Sequence, residues 1–133
     1  MSFGQRNLDR SKPEIDFPEG GTPEELIIID EIEGAGEVVE AGDTVSAHYV
    51  GVAFSTGEEF DSSWGRGEPL RFQVGVGMVI RGWDEGLLGM KVGGRRRLEI
   101  PSEMAYGSRG AGSAIGPNES LIFVVDLVDV IKR

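Results

Sequence analysis

Apolar and polar residues alternate along much of this chain, in short segments separated by glycine-rich stretches. A period of two places successive side chains on opposite faces of an extended strand. Residues 44–54 show it clearly, with Val45, Ala47 and Tyr49 on one face and Ser46 and His48 on the other. Similar alternation, or a β-branched run too short for a helix, recurs at 26–32, 59–62, 70–74, 95–100 and 121–131. The sequence therefore predicts a sheet of several strands.

One segment has a helical period instead. Between residues 79 and 90, large apolar residues recur at steps of three and four, on one side of a helix: Ile80, Trp83, Leu87 and Met90. The glycines within it each cost up to about 1 kcal/mol relative to alanine, so this helix needs close packing on the sheet. We expect Gly93 and Gly94 to end it. Strands with one short helix and no β–α–β alternation predict an α+β fold with an antiparallel sheet.

The composition excludes several classes of protein. A chain of 133 residues is long enough for one domain with a single core. Nucleic-acid binding needs a cationic surface, so the net charge of −10 argues against it. We interpret the basic run at 95–97 as a solvated strand face. The sequence has no cysteine, which excludes disulfides and thiolate metal sites and suits the cytoplasm.

The first 25 residues differ from the rest, because three prolines lie among polar residues with few large apolar ones. We expect a flexible N-terminal extension over 1–25 and a folded domain over 26–133. The N-terminus is charged throughout and lacks the apolar segment of a signal peptide. No stretch reaches the apolar length of a membrane span. These features predict a cytoplasmic protein with no membrane partner.

The residue sets of most catalytic mechanisms are missing from the sequence. His48 is the only histidine, and no serine lies in a nucleophile elbow, so we interpret His48 as an ordinary strand residue. One histidine and scattered carboxylates do not give the spacing of a metal site. The glycine-rich stretches lack both a dinucleotide fingerprint and a P-loop lysine. The sequence predicts no metal and no cofactor.

Aromatic residues are the remaining candidates for a site. They fall on different predicted elements, mostly on faces that also carry aliphatic residues: Tyr49, Phe60, Phe72, Trp83, Tyr106 and Phe123. A hydrophobic core explains this pattern, and so does an apolar cleft with a polar rim, which is typical of a small-molecule or peptide site. Asp61 and Arg66 could form a charged pair at such a rim. The Tyr106 hydroxyl group could reach a cleft from its strand-to-loop boundary.

Three short motifs resemble those of one known family. They are Phe60-Asp61-Ser62-Ser63, the run Val-Ile-Arg-Gly-Trp that begins at Val79, and Ala105-Tyr106-Gly107. Together with the strand that ends His48-Tyr49-Val50-Gly51 and the apolar run 121–127, they resemble the FKBP-type peptidyl-prolyl cis–trans isomerases over residues 26–133. The resemblance implies a five- or six-stranded antiparallel sheet wrapped around one short helix.

The resemblance also implies a proline-binding pocket with Trp83 as its floor. Phe60, Asp61, Trp83 and Tyr106 would be its catalytic residues, and Asp61 would orient or polarise the amide. The other residues that the resemblance assigns to substrate binding are Tyr49, Arg66, Leu70, Val79, Ile80, Ile115 and Phe123. The Tyr106 hydroxyl group and the backbone N–H of Ile80 are the implied hydrogen-bond donors to substrate.

An enzyme of this family accelerates rotation about X–Pro bonds without a nucleophile, a base or a metal. The twisted amide is less polar than the planar one, so an apolar pocket favours it. The implied partners of a monomeric enzyme are proline-containing peptides, unfolded or partly folded proteins, and macrolides such as rapamycin. Leu70, Met78, Ala111 and Ala114 depart from the residues common in the family, which predicts weaker macrolide contacts. The alternatives are a non-catalytic proline-peptide or macrolide-binding module and a purely structural domain.

Overall fold

The computed structural model describes residues 11–16 and 20–133 of the chain. Six strands pair in one antiparallel sheet, in the order β1-β5-β6-β2-β3, with β4 paired to β2. The strands are β1 (Ile27–Ile32), β2 (Thr44–Ala53), β3 (Glu59–Ser62), β4 (Leu70–Gln73), β5 (Arg95–Ile100) and β6 (Leu121–Ile131). Within the described ranges there is one α-helix, α1 (Arg81–Gly86). The predicted α+β fold is confirmed, and the antiparallel sheet, predicted to have five or six strands, has six in the described residues.

The long strand β2 organises the sheet. One of its edges pairs with β6 from Thr44 to Ala53, with a register shift after Ser46. Its other edge pairs first with β4 and then with β3, which begins its pairing at Val50. A register shift of this kind bends a strand and increases its twist. The two short strands therefore lie one after the other along β2 and bring Leu70 and Phe60 to the same region of the molecule.

Helix α1 is shorter than the periodicity predicts. It begins at Arg81 because the preceding Ile80 has an extended backbone, with ψ at 151°. It ends at Gly86, well before Gly93 and Gly94, so the predicted end was wrong. Gly89 adopts a positive φ of 82°, which a helix does not accommodate. The later apolar residues still point inward, since Met90 is 1% exposed.

Two glycines of α1 let the helix lie directly on the sheet. A Cβ atom at Gly82 would stand 2.6 Å from Cδ1 of Ile100, and one at Gly86 would stand 2.9 Å from Cδ2 of Leu98. Both distances are below van der Waals contact, so a larger residue would push the helix away. The close approach expected from the sequence is therefore present, and it carries Trp83 into the middle of the core.

The three consecutive arginines of β5 do not form a solvated face, and that interpretation was wrong. Arg96 is 7% exposed and donates hydrogen bonds to the carbonyl oxygens of Gly86 and Leu88 and to the Asp30 carboxylate. Arg95 and Arg97 lie on the opposite face and pair with carboxylates of β6 and β5. Asp30 and Asp126, the partners of Arg96 and Arg95, come from neighbouring strands, whose register the sequence does not reveal.

The N-terminal part of the chain is described only in short pieces. Residues 11–16 lie against the sheet, where Ile15 packs on Val52, Phe54 and Ile122. The flexible extension expected over 1–25 includes residues 1–10 and 17–19, which lie outside the described residues, and the domain boundary stays a prediction. No helix among the described residues has the length and apolar character of a membrane span.

Candidate active site

A cavity of about 440 Å³ opens beside helix α1. Aromatic and aliphatic side chains dominate its wall, and one carboxylate and two phenols supply polar groups. The lining residues are Tyr49, Phe60, Asp61, Leu70, Met78, Val79, Ile80, Trp83, Tyr106 and Phe123. The structure thus brings together most of the predicted site residues. A concave apolar surface with a few convergent polar groups is typical of a ligand site.

Trp83 forms the floor of the cavity. It is 4% exposed, and its ring meets the rings of Tyr49 and Phe123 edge-on, each at a centroid distance of 5.1 Å. Phe72 packs at 5.3 Å and belongs to the core rather than to the cavity lining. Edge-to-face contacts between aromatic rings stabilise such a cluster beyond the area that they bury. The aromatic residues therefore serve as core and as site at once, so both sequence interpretations hold in part.

Gly51 is a residue of the site that the sequence interpretation missed. A Cβ atom there would lie 2.6 Å from Cζ of Phe60 and 2.7 Å from Cε1 of Phe123. Those two rings meet edge-to-face at 5.5 Å over the glycine backbone. The sequence did contain a signal for this residue, because Gly51 shares the inward face of its strand with Tyr49. A glycine at such a position leaves room for a neighbouring group.

Asp61, Tyr49 and Arg66 form a hydrogen-bonded network at the rim. The Tyr49 hydroxyl group donates to Oδ2 of Asp61 at 2.6 Å, and the Arg66 guanidinium donates to Oδ1 of Asp61 and to the Tyr49 hydroxyl oxygen. Burial acts to raise the pKa of Asp61, but the hydrogen bonds from Tyr49, Arg66 and the Ser62 backbone outweigh it, so this pKa is lowered. Asp61 is a carboxylate at neutral pH. Burial and the neighbouring Asp61 raise the pKa of Tyr49, which stays protonated.

A second layer of polar groups fixes Tyr49 from behind. The buried Ser63 hydroxyl oxygen accepts a hydrogen bond from the Tyr49 backbone N–H at 2.7 Å, and the Ser63 N–H donates to the Tyr49 carbonyl oxygen. His48 Nδ1 lies 2.9 Å from the same hydroxyl group, and its ring stacks on Trp64 at 4.3 Å. His48 is therefore more than an ordinary strand residue, because it supports the strand segment that carries Tyr49.

The two residues that carry the predicted hydrogen-bond donors, Tyr106 and Ile80, line the cavity. Tyr106 is 41% exposed and lines the cavity, and no described residue accepts a hydrogen bond from its hydroxyl group. Burial raises the pKa of Tyr106, so it remains a donor. The first helical hydrogen bonds run from Trp83 and Asp84 to the Ile80 carbonyl oxygen, so the helix does not use the Ile80 N–H. Both residues line the cavity, and their role as donors to substrate stays a prediction.

The loop before α1 is held by one carboxylate. Asp84 accepts hydrogen bonds from the backbone N–H groups of Gly75 and Gly77 at 2.8 and 2.9 Å. Both glycines have positive φ, which lets their N–H groups converge on the carboxylate. The loop continues through Met78 and Val79, which line the cavity. Asp84 thus fixes one wall of the site without touching the cavity.

Two predicted site residues do not line the cavity. Arg66 reaches it only through Asp61 and Tyr49. Ile115 is 5% exposed and belongs to the core cluster, and its backbone forms a bridge with Ala111. Met78 lines the cavity and is 62% exposed, although the sequence interpretation did not assign it to the site.

Known proteins share this combination of fold and cavity. The family model described as FKBP-type peptidyl-prolyl cis-trans isomerase matches residues 36–128. An FK506-binding protein of Streptomyces anulatus is 66% identical over 120 residues, which are 90% of this chain and 97% of that protein. Peptidyl-prolyl cis-trans isomerase FPR2 of Saccharomyces cerevisiae is 53% identical over 89 residues, 67% of this chain and 66% of that protein. The crystal structure of AtFKBP13 matches with a TM-score of 0.75 at 40% identity, covering 83% of this chain and 96% of that one.

The fold, the aromatic cavity and these matches define the protein as a peptidyl-prolyl cis–trans isomerase. The chain belongs to the FKBP-type family of these enzymes. It acts on prolyl bonds. The resemblance seen in the sequence motifs is confirmed.

Proposed function

We propose that the cavity over Trp83 holds the proline ring of an extended peptide and lowers the barrier to rotation about the preceding bond. That barrier is about 18–20 kcal/mol because resonance stiffens the amide. The edge-to-face enclosure of Trp83 by Tyr49 and Phe123 carries this proposal, since it leaves an apolar surface on which a compact ring packs well.

The reaction needs no covalent bond between the substrate and a protein atom. As the amide twists, it loses resonance and becomes less polar, so an apolar wall stabilises the twisted state relative to the planar one. Tyr106 and Ile80 both line the cavity, which supports their proposed role as hydrogen-bond donors to substrate carbonyl groups through the Tyr106 hydroxyl group and the Ile80 N–H. Interactions that strengthen only in the twisted geometry lower the barrier further.

Asp61 acts as the polar wall of the site. Its ionised carboxylate is held by Tyr49 and Arg66, so it presents a fixed negative charge at the edge of an apolar cavity. Such a charge orients the amide dipole of the bound peptide. Arg66 contributes by positioning Asp61, because it does not line the cavity.

We propose that FK506-type macrolides and rapamycin occupy the same cavity, and the Streptomyces anulatus relative, named an FK506-binding protein, supports this. Leu70 and Met78 are aliphatic lining residues, so macrolide contacts at this wall are apolar. Natural substrates are prolyl bonds in peptides and in unfolded or partly folded proteins, and the enzyme works as a cytoplasmic monomer. The sequence without cysteine is compatible with a reducing compartment.

The test is NMR exchange spectroscopy on a short Leu-Pro or Phe-Pro peptide. Micromolar protein should accelerate cis–trans exchange, and a saturating amount of rapamycin should abolish the acceleration. Peptide binding without acceleration would support the non-catalytic binding module instead. Acceleration that survives saturating rapamycin would contradict a shared cavity for macrolide and peptide.

A further inference from the structure

Part of the outer face of the sheet, opposite the cavity, is apolar, where β6 begins and β2 ends. Antiparallel sheets with one open face usually alternate apolar and polar residues, whereas strands covered on both faces are apolar throughout. In β6 the outward residues Ile122 and Val124 are each 1% exposed, and their neighbour Val52 in β2 is 7% exposed. The outer face is therefore built to be covered.

A segment of the chain itself lies on this face. In residues 11–16, Pro13 and Ile15 are half-buried, and the residues between and beside them are exposed. This period of two is that of an extended peptide with one face toward the sheet. Ile15 packs into an apolar pocket formed by Val52, Phe54 and Ile122.

Two arginines of β5 hold the backbone of this segment. Nη2 of Arg95 donates to the Ser11 carbonyl oxygen at 3.2 Å, and Nη2 of Arg97 donates to the Asp16 carbonyl oxygen at 2.9 Å. Both guanidinium groups are already fixed, Arg95 by a bidentate pair with Asp126 and Arg97 by Glu99. Fixed donors lose little freedom when a peptide binds, so they favour binding.

We propose that the outer sheet face is a second peptide-binding site, and that its ligand is the chain's own segment 11–16, bound in cis. The arginines bind backbone carbonyl groups and so accept any extended peptide, while the pocket under Ile15 selects an aliphatic side chain. The site is separate from the cavity, because Val52 and Ile122 point away from the face that carries Gly51 and Phe123. Covalent attachment supplies a high effective concentration, which lets a short segment remain bound.

Full-length variants test the binding in cis. Ile15→Asp removes the aliphatic anchor, and Glu14→Ala is the matched control at an exposed neighbour; neither residue belongs to a strand of the sheet. We expect backbone heteronuclear NOE values at residues 14–16 to equal those of the folded core in the wild type and in Glu14→Ala. They should fall to the values of a mobile tail in Ile15→Asp, with a decrease in Tm of about 4 °C.

Binding in trans provides the second measurement. A synthetic peptide of residues 10–16 is added to the Ile15→Asp protein, and the methyl signals of Val52 and Ile122 should shift, whereas the same peptide with aspartate for isoleucine should leave them unchanged. Tail-like NOE values in the wild type would overturn the proposal. So would peptide-induced shifts confined to the Trp83 cavity, because Pro13 would then be acting as a ligand of the active site.

Discussion

The rings of Phe60 and Phe123 can meet in the cavity because Gly51 has no side chain. Gly51→Ala places a methyl group 2.6 Å from Phe60 and 2.7 Å from Phe123, so at least one ring must move. We expect a loss of about tenfold or more in kcat/KM and a decrease of about 1–3 kcal/mol in the free energy of unfolding. Peptide exchange by NMR and urea unfolding measure the two effects.

Gly116→Ala is the matched control for this substitution, because a Cβ atom at Gly116 has no neighbour within 4 Å and its φ is not positive. Equal effects of the two substitutions would show that the space at Gly51 is not what the cavity needs.

Tyr49 couples the aromatic wall to the ionised rim. Tyr49→Phe keeps the ring against Trp83 but removes the hydrogen bond to Asp61 and the acceptor for Arg66. The pKa of Asp61 should therefore rise toward its ordinary value, and kcat/KM should fall several-fold. An NMR titration of the Asp61 carboxyl group measures the first effect.

Tyr106→Phe is the comparison for Tyr49→Phe, because Tyr106 lines the cavity but makes no hydrogen bond to Asp61. It should lower kcat/KM and leave the titration of Asp61 nearly unchanged. An unchanged Asp61 pKa in Tyr49→Phe would contradict the network as described.

At the scale of elements, the loop before α1 depends on a single acceptor. Asp84→Ala leaves the N–H groups of Gly75 and Gly77 without their carboxylate, so the wall formed by Met78 and Val79 should loosen. We expect KM to rise several-fold with a smaller change in kcat, since the catalytic groups stay in place. Steady-state isomerase kinetics give both constants.

Glu85→Ala is the control for Asp84→Ala. Glu85 follows Asp84 on α1 but pairs with Arg81 at the surface, away from the loop. Equal effects on KM would indicate that a general loss of negative charge from α1, and not the loop contact, is responsible.

The elements also show why some features could be predicted and others could not. All six strands followed from alternation or β-branched runs, because that signal lies within each segment. The end of α1 was misplaced, since Gly86 and Gly89 interrupt a period that Leu87 and Met90 continue for reasons of packing. The arginines of β5 were misread because Asp30 and Asp126 become their partners only through strand register.

The same distinction applies to the site. Local motifs and the resemblance that they carry identified Trp83, Phe60, Asp61 and Tyr106, all of which line the cavity. Ile115 lies outside the cavity lining, in a loop where its bridge with Ala111 has no periodic signal, and its role in substrate binding stays a prediction. Ser63 was not assigned a supporting role, since its contact with Tyr49 depends on how β3 pairs with β2.

For the whole molecule, His48 makes stability depend on pH. Burial lowers its pKa, and the opposing attraction of Asp126 is weaker. The unfolded chain then binds more protons than the folded one, so this contribution is present above the unfolded pKa of about 6.5 and is lost as pH falls through the lower folded pKa. Since His48 is the only histidine, the decrease between pH 7 and 5 should be largely absent in His48→Gln.

Urea unfolding across pH 5 to 8 measures this dependence for both proteins. Below that range the lowered pKa of Asp61 and of Asp43 adds a further loss of stability in both, because each carboxylate must be protonated on unfolding in acid. Identical slopes between pH 7 and 5 would contradict the role of His48.

The central claim is that the aromatic cavity itself catalyses prolyl rotation. The measurement is NMR exchange of a Leu-Pro peptide in the presence of two variants, Phe60→Leu and Phe54→Leu. Both make the same substitution, the first inside the cavity and the second on the outer sheet face. We expect Phe60→Leu to lose about tenfold or more of the acceleration and Phe54→Leu to retain it. A folded Phe60→Leu protein with the acceleration of the wild type would contradict it.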